Sequence, residues 1–446
     1  MVAVPGISEM TLHLFIQLAL IIAICRGVGW LLRPLGQTQV LGDMVAGVLL
    51  GPSLLGLVAP GIKQWLFPTT LTLTSGAATI TIPHPSMVLL YSLGQLGLVL
   101  YMFTVGLEFN TTMIGKHLAQ VGRVSVAGIV APLVLGAALG YYLSTNQPLF
   151  GPNVSSWQAA LFVASAISIT AFPVLARIIR ETGMTKTKLG TLVLGAAATN
   201  DAVAWCLLAI VLAAASNSPL VATLAIGGGV AYAVVQISLG RRLWRIFDFD
   251  TKRYPRVPQG ALAPLIILVL LFASFTDGVG IHSIFGAFIA GAVMPRGRFV
   301  DESLRSIEPL TTVLLVPIFF VYSGLNTQVA LLTTPALLGT TLAVLAISFI
   351  AKGGACLLAS RAGGASWRES TSIGVLMNAR GAMELILINI GLDRGLISPA
   401  LFTIFVLMTI VTTFIATPLF KLIYRPDPAD AAAIGSNEAA GQPSVC

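Results

Sequence analysis

Long apolar runs follow one another along almost the whole chain, and each is about as long as a helix that crosses a lipid bilayer. The first extends from Thr11 to Leu32 and contains one charged residue, Arg26. Hydrophobic residues make up 56% of the 446 residues and charged residues 9%, whereas a soluble domain has about 25% charged residues. So few polar residues cannot cover a surface that faces water. We therefore predict a multi-pass integral membrane protein surrounded by the lipid bilayer, and exclude soluble enzymes and nucleic-acid-binding proteins.

At about 20 residues per span, the apolar runs divide the chain into about thirteen transmembrane helices. The predicted spans are at about 10–32, 40–58, 87–107, 119–143, 157–179, 188–215, 219–240, 260–276, 279–295, 307–324, 333–360, 369–391 and 399–424. The sequence thus predicts an all-α polytopic membrane protein with a transmembrane domain at residues 1–424. Residues 425–446 are rich in Ala, Gly, Ser and Pro, and we predict a disordered cytoplasmic tail there.

Basic residues are distributed unequally over the loops that these spans define. Of the 25 Lys and Arg residues, Lys63 and Arg394 lie on the side that carries the N-terminus, and Lys352 and Arg380 lie inside spans. All the others lie in loops and helix ends on the opposite side. Because cytoplasmic loops carry the excess of Lys and Arg, we predict that the N-terminus is outside and the C-terminus cytoplasmic, in the plasma (inner) membrane.

Glycine motifs repeat at an interval of seven helices. The second span contains Gly42–Gly47 and the ninth contains Gly286–Gly291. The third and tenth spans end in similar segments at Gly106 and Gly324. An odd interval reverses the direction in which the chain crosses the membrane. The motifs therefore indicate an inverted-topology repeat of helices 1–6 and 8–13, which is typical of secondary transporters.

The fifth and twelfth spans, which this repeat relates to each other, contain residues that interrupt helices near mid-membrane. The fifth contains Pro173, which lacks a backbone donor, and the twelfth contains Asn378 and Gly381. Inside a membrane, the backbone groups that a broken helix frees are tolerated only where they line a protein cavity. A simple kink at Pro173 is the alternative interpretation, but the pair of breaks favours two broken helices that face an ion.

Four charged residues lie well inside predicted spans, where each costs on the order of 3 kcal/mol or more: Asp201, Lys352, Arg380 and Glu384. Asp201 either neutralises Lys352 and joins two helices, or binds a proton and a monovalent cation in turn, which is the interpretation we favour. Lys352 either competes for Asp201 or is a permanent counter-charge. Arg380 and Glu384 are four residues apart on one helix face. We predict a structural pair, with sensing or tuning of affinity as the alternative.

Polar side chains near these charges supply further oxygen atoms. Asn200 and Thr199 precede Asp201, and Thr170 lies beside the first break. A hydroxyl can instead bond back to its own helix. The predicted site for ion and proton is Asp201 with Asn200, Thr170 and Thr199. The chain has no nucleophile–base pair and no cluster of metal ligands, so we predict no enzymatic activity, no cofactor and no metal beyond the transported cation.

Several segments together resemble the monovalent cation:proton antiporter superfamily, in the branch of plant cation/H+ exchangers and bacterial Na+/H+ and Kef-type K+ transporters. The matching segments are Gly106–Phe109, Ser168–Arg177, Asn200–Asp201, Lys352 and Met377–Gly391. The resemblance implies a homodimer with elevator-like alternating access. It also implies that helices 5 and 12 cross beside Asp201, which serves as the shared site for ion and proton.

The resemblance further implies a moving core and a scaffold. The scaffold helices would lie at about 10–107 and 260–324, the core helices at about 119–215 and 333–424, and a linker helix at about 219–240. Electrogenic relatives carry two adjacent Asp residues where this chain has Asn200 and Asp201. A single carboxylate favours electroneutral, one-for-one exchange. Electroneutral relatives often carry Arg where this chain has Lys352, so the chain combines one feature of each group.

The predicted function is secondary active exchange of a monovalent cation, K+ or Na+, for protons. One alternative is a passive cation channel, which would conduct without coupling to protons. Another is a Na+-coupled organic-anion symporter on a related fold, in which Lys352 and Arg380 would bind the anion.

Overall fold

Two compact units make up the chain in a computed structural model. The described residues are 7–75, 78–108, 118–184, 187–215, 219–240, 242, 244, 260, 262–280, 282–295 and 297–424. The first unit contains residues 1–30, 42–109 and 218–329, and the second contains residues 31–41, 110–217 and 330–446. The predicted tail at 425–446 lies outside the described residues.

Helices account for most of the described residues. In chain order they are α1 (Ile7–Leu32), α2 (Gln39–Leu50), α3 (Leu55–Val58), α4 (Pro60–Leu66), α5 (Pro85–Glu108), α6 (Leu118–Asn146), α7 (Ser156–Ser168), α8 (Phe172–Glu181), α9 (Lys188–Ala215), α10 (Pro219–Val235), α11 (Leu262–Gly278), α12 (Ser283–Val293), α13 (Arg298–Leu310), α14 (Val316–Leu325), α15 (Pro335–Ala362), α16 (Trp367–Leu376), α17 (Ala382–Asp393) and α18 (Pro399–Ile423). The first unit holds most of α1 and α2, then α3–α5 and α10–α14, and the second holds α6–α9 and α15–α18.

Among the described residues, nine helical stretches are long and apolar enough to cross a membrane, and three further apolar helices are shorter. The sixth predicted span, 188–215, has the limits of α9. The tenth begins earlier than predicted, because α13 continues through a π-helical turn at Thr311–Leu315 into α14. The twelfth consists of two half-helices, α16 and α17, and each is too short to cross alone. The number of thirteen spans therefore stays a prediction.

A two-stranded hairpin interrupts the helical pattern of the first unit. Strand β1 (Thr70–Ser75) pairs antiparallel with β2 (Ala78–Pro83), with Leu71 opposite Ile82 and Thr72 opposite Thr81. The prediction of an all-α chain is wrong for this segment. Thr alternates here with aliphatic residues at a period of two, which is the pattern of a strand, and β-branched residues favour strands.

Pairs of glycines set the closest helix contacts in the first unit. Helices α2 and α14 meet at Gly47 and Gly324, where a Cβ on Gly47 would lie 2.5 Å from the carbonyl oxygen of Phe320. Helices α5 and α12 meet at Gly106 and Gly291, where a Cβ on Gly106 would lie 3.0 Å from the Cα of Gly291. Such small residues let the backbones of transmembrane helices approach closely.

In the second unit, two half-helices start with the same local motif. The backbone N–H of Ser155 donates to Gln158 Oε1 at 2.9 Å before α7, and that of Ser366 donates to Glu369 Oε2 at 2.8 Å before α16. Both are capping boxes, which satisfy the free amides of a helix start. Helix α6 packs against α7 and α15, and α9 packs against α6, α7 and α8. These contacts hold the half-helices inside the unit.

We expect Gly47→Ala to destabilise the protein by about 1–3 kcal/mol, because the new methyl group must displace the backbone of α14. Thermal unfolding in detergent, followed by intrinsic fluorescence, measures the loss. Gly27→Ala is the matched control, since nothing lies within 4 Å of a Cβ on Gly27 of α1. Equal melting temperatures for the two variants would contradict this account of the packing.

Candidate ion-binding site

Two interrupted helices meet in the second unit. The first interruption separates Ser168, the end of α7, from Phe172, the start of α8. The second separates α16 from α17 at residues 377–381. The backbone N–H of Ala171 in the first interruption donates to the carbonyl oxygen of Ala379 in the second at 3.0 Å. The two extended segments are therefore joined directly through their backbones.

The residues predicted to break the helices occupy different positions. Asn378 and Gly381 lie inside the second interruption. A Cβ on Gly381 would lie 2.8 Å from Val174 Cγ2, so glycine permits the close approach of the two segments. Pro173 is instead in the first turn of α8, where a missing N–H costs nothing because that donor has no partner within the helix.

The carboxyl end of α7 is bound by two cationic side chains. Arg380 donates from Nη2 to the carbonyl of Ile167 at 2.7 Å, and from Nη1 to the carbonyls of Ala166 at 3.0 Å and Ile169 at 3.3 Å. Lys352 of α15 donates from Nζ to the carbonyl of Ser168. The last carbonyls of a helix have no partner within it, and the helix dipole makes this end negative. Two fully buried cations thus satisfy carbonyls that the interruption exposes.

Arg380 also forms the predicted pair with Glu384. Its Nη1 lies 3.2 Å from Glu384 Oε2, and both side chains are inaccessible to solvent. Glu384 Oε1 is buried without a hydrogen-bond partner among the described residues. The hydroxyl of Thr413 on α18 accepts a bond from the Arg380 N–H at 2.9 Å and donates to its carbonyl at 3.1 Å. Arg380 therefore joins α7, α17 and α18.

Asp201 lies on α9 at the amino end of α8. Its Oδ1 accepts a long hydrogen bond, 3.4 Å, from the backbone N–H of Phe172, and its side chain is 2% exposed. The amino end of a helix carries a partial positive charge that favours a carboxylate. No Lys, Arg or His in the described part of the chain forms an ion pair with Asp201. Lys352, which the less favoured interpretation paired with Asp201, donates to the carbonyl of Ser168 instead.

Of the other predicted ion ligands, Asn200 and Thr170 contact each other, whereas Thr199 does not join them. Asn200 Nδ2 donates to Thr170 Oγ1 at 3.4 Å, and Asn200 Oδ1 is buried with no partner among the described residues. Asn378 Oδ1 is likewise buried and unpartnered within that part of the chain, while its Nδ2 donates to the carbonyl of Gly374 at 3.0 Å. Thr199 Oγ1 donates to the carbonyl of Gly195 in its own helix at 2.9 Å. Asn200 and Thr170 are therefore brought together, and Thr199 bonds to its own helix.

One buried carboxylate, that of Asp43, was not predicted from the sequence. Asp43 of α2, in the first unit, is 2% exposed and accepts a hydrogen bond from the thiol of Cys25. It is the acidic residue of an otherwise apolar predicted span, and a charged residue in such a span needs a charged or hydrogen-bonding partner. From the sequence, the neighbouring Gly42 and Gly47 were used only as evidence for the inverted repeat.

Comparison with known proteins identifies the chain's family. The family described as sodium/hydrogen exchanger, transmembrane, matches residues 18–425. The chain belongs to this family. It is 40% identical over 420 residues to the Na(+)/H(+) antiporter NhaS4 of Synechocystis sp., covering 93% of this chain and 97% of that protein. It is 33% identical over 428 residues to K(+)/H(+) antiporter 1 of Saccharomyces cerevisiae, covering 94% of this chain and 47% of that protein. The chain thus spans about half the length of the yeast relative.

A solved structure shows the same fold. The sodium proton antiporter MjNhaP1 from Methanocaldococcus jannaschii superposes with a TM-score of 0.53 at 17% identity, and the match covers 97% of this chain and 98% of that one. Family membership confirms the resemblance that the motifs indicated. This family member is an α-helical integral membrane protein of a transporter family.

We expect Arg380→Met to destabilise the protein far more than Glu384→Gln. Both substitutions break the buried pair, which costs about 3–5 kcal/mol, but losing Arg380 also leaves the three carbonyls of residues 166, 167 and 169 without that donor. The Glu384→Gln substitution would leave the bonds from Arg380 to α7 in place. Thermal unfolding of both variants and of the double variant measures the difference.

The exposed pair Arg298–Glu302 has the same spacing of four residues and supplies the control. Arg298→Met removes a surface pair worth about 0.3–0.5 kcal/mol, so it should change the melting temperature little. Equal losses for Arg380→Met and Glu384→Gln would contradict the role assigned to the α7 carbonyls.

Proposed function

We propose that this chain exchanges a monovalent cation, K+ or Na+, for protons by alternating access, and that Asp201 binds both. The observation that carries the proposal is a buried carboxylate, 2% exposed, with no counter-charge bonded to it in the described structure. An ionised carboxylate buried in this way is strongly unfavourable. It must therefore hold either a proton or a cation, and these are the two species that an antiporter moves in opposite directions.

Oxygen atoms near the interruptions suit an alkali cation. Buried polar atoms without partners call for an explanation such as an ion or water, and Asn200 Oδ1 and Asn378 Oδ1 are of this kind. Thr170 Oγ1 bonds Asn200, so these groups and Asp201 form the proposed site. Lys352 and Arg380 are bound to the backbone of α7, which leaves Asp201 free to bind a cation.

The names of relatives support the two candidate cations. NhaS4 is named a Na(+)/H(+) antiporter and the yeast protein a K(+)/H(+) antiporter. We propose K+ or Na+ accordingly. One carboxylate holds one proton or one monovalent cation at a time, so we further propose one-for-one, electroneutral exchange.

For the moving parts, we propose that the second unit is the core and the first unit the scaffold. The interrupted helices and Asp201 all belong to the second unit. Alternating access would then be an elevator-like movement of this core, in a homodimer. The helix at Pro219–Val235 would be the linker.

Contacts between glycines support the proposed inverted repeat. The repeat equates Gly47 with Gly291 and Gly324 with Gly106. A contact between Gly47 and Gly324 then requires one between Gly291 and Gly106, and both contacts are present. The matching capping boxes before α7 and α16 agree with the same relation. We propose thirteen spans, an outside N-terminus and a cytoplasmic C-terminus in the plasma membrane, consistent with this repeat and with the distribution of Lys and Arg.

Proteoliposomes with an imposed pH gradient test the proposal directly. Addition of Na+, K+, Li+ or Rb+ in turn should collapse the gradient for at least one cation, and Asp201→Asn should abolish this response because its amide does not titrate. Asp277→Asn, an exposed acid at the end of α11, is the control and should retain transport. Full exchange by a folded Asp201→Asn variant, or no response of the wild type to any cation, would overturn the proposal.

The dependence of the exchange rate on membrane potential tests the proposed ratio of one cation to one proton. If one cation exchanges for one proton, the Na+-driven rate should be the same with and without an imposed membrane potential, because no net charge crosses. The measurement is the initial rate of proton flux at several clamped potentials. A rate that rises or falls with the potential would show that the exchange is not one for one.

A further inference from the structure

A groove of about 740 Å³ lies between α6 and α15 on the second unit, and Asp201 is not among the residues that line it. Val126 and Val130 of α6 and Leu358 of α15 are among the residues that line it. These side chains are well exposed, with Val126 at 61% and Leu358 at 63%. On a transmembrane helix, exposed apolar side chains contact lipid chains, which are as apolar as leucine.

The length of the groove matches one leaflet of the bilayer. Its lining on α6 extends from Gly122 to Ala131, which is about 14 Å at 1.5 Å per residue. Half of the hydrocarbon core measures about 15 Å. The groove is therefore shaped for an extended acyl chain that reaches from a membrane surface to mid-membrane, rather than for a compact polar solute.

Cationic side chains lie at one end of this groove. Arg123 is in its lining, and Arg123 Nη2 lies beside Gly363, 3.2 Å from where a Cβ on that residue would be. Arg361, in the last turn of α15, stacks on the ring of Trp367 at 5.3 Å. Trp367 is 61% exposed, and exposed Trp residues are typical of the membrane–water interface. The two arginines thus mark the level of the lipid headgroups.

Neither arginine has an acidic partner in the described part of the chain. No ion pair joins Arg123 or Arg361 to a carboxylate there, and Arg361 donates instead to the carbonyl of Ala365 at 3.0 Å. Guanidinium groups bind phosphate oxygens with charge-assisted hydrogen bonds, and basic pockets between transmembrane helices bind anionic headgroups. The end of the groove is therefore complementary in charge to a lipid phosphate.

We propose that the groove between α6 and α15 binds an anionic phospholipid. One acyl chain lies along Val126, Val130 and Leu358, and the headgroup binds Arg123 and Arg361. This site is separate from the ion site and does not depend on the exchange reaction.

Native mass spectrometry of the full chain tests the headgroup. The probes are phosphatidylglycerol and phosphatidylcholine with the same acyl chains. We expect preferential retention of phosphatidylglycerol, weakened about fivefold by Arg123→Ala and again by Arg361→Ala. Arg123→Lys keeps the charge and should retain most of the binding. Arg305→Ala, which removes an exposed arginine from α13 in the first unit, should have no effect. Equal retention of both lipids, unchanged by every substitution, would overturn the proposal.

A second pair of variants tests the groove itself. Ala359→Trp fills the groove, whereas Leu342→Trp adds the same ring to α15 outside it, at a residue that is 67% exposed. We expect loss of the bound lipid only in Ala359→Trp, with melting temperatures in lipid-free detergent reporting that both variants fold. If Ala359→Trp instead separated dimers and left lipid retention unchanged, the occupant would be a second copy of the chain and the proposal would fail.

Discussion

Everything around the candidate site depends on how the chain satisfies the free carbonyls at the end of α7. An interruption inside a membrane exposes backbone groups that water cannot reach, and each unsatisfied group costs several kcal/mol. Here Arg380 and Lys352 bind four successive carbonyls, those of residues 166–169. The two side chains donate hydrogen bonds to the free carbonyls. In return, the negative end of the helix dipole stabilises two positive charges that would be unfavourable in lipid. Neither the break nor the buried charges would be stable alone.

The same interruption arranges the charges of the site. The carboxyl end of α7 attracts the cations, and the amino end of α8 lies at Asp201. One broken helix therefore separates positive from negative side chains that would otherwise neutralise each other. Glu384 is bonded to Arg380, while Asp201 has no counter-charge bonded to it in the described part of the chain. The path of the backbone through the interruption thus determines where the charged side chains of the candidate site lie.

Much of this could be predicted from local patterns. The sixth apolar run predicted the limits of α9, and the spacing of Arg380 and Glu384 predicted a pair that the structure contains. The bonds from Arg380 to α7 could not be foreseen, because they join residues over 200 positions apart and involve carbonyls that every residue type has. The preference of Thr199 for its own helix was an open alternative that only geometry could decide. The hairpin at Thr70–Pro83 was not predicted, because it lies between the second and third predicted spans and its alternating residues do not form a long apolar run.

The groups at the end of α7 that bind Arg380 and Lys352 are main-chain carbonyls. Mutations that change side chains therefore do not remove them. A side chain at Ala166, Ile167 or Ile169 can change without removing any acceptor of Arg380. An alanine scan across this segment would report the lost packing of the buried Ile167 and Ile169 side chains, and would leave the contribution of their carbonyls undetected. Replacing individual peptide bonds with esters, which weakens one carbonyl acceptor at a time, is the perturbation that would reveal them.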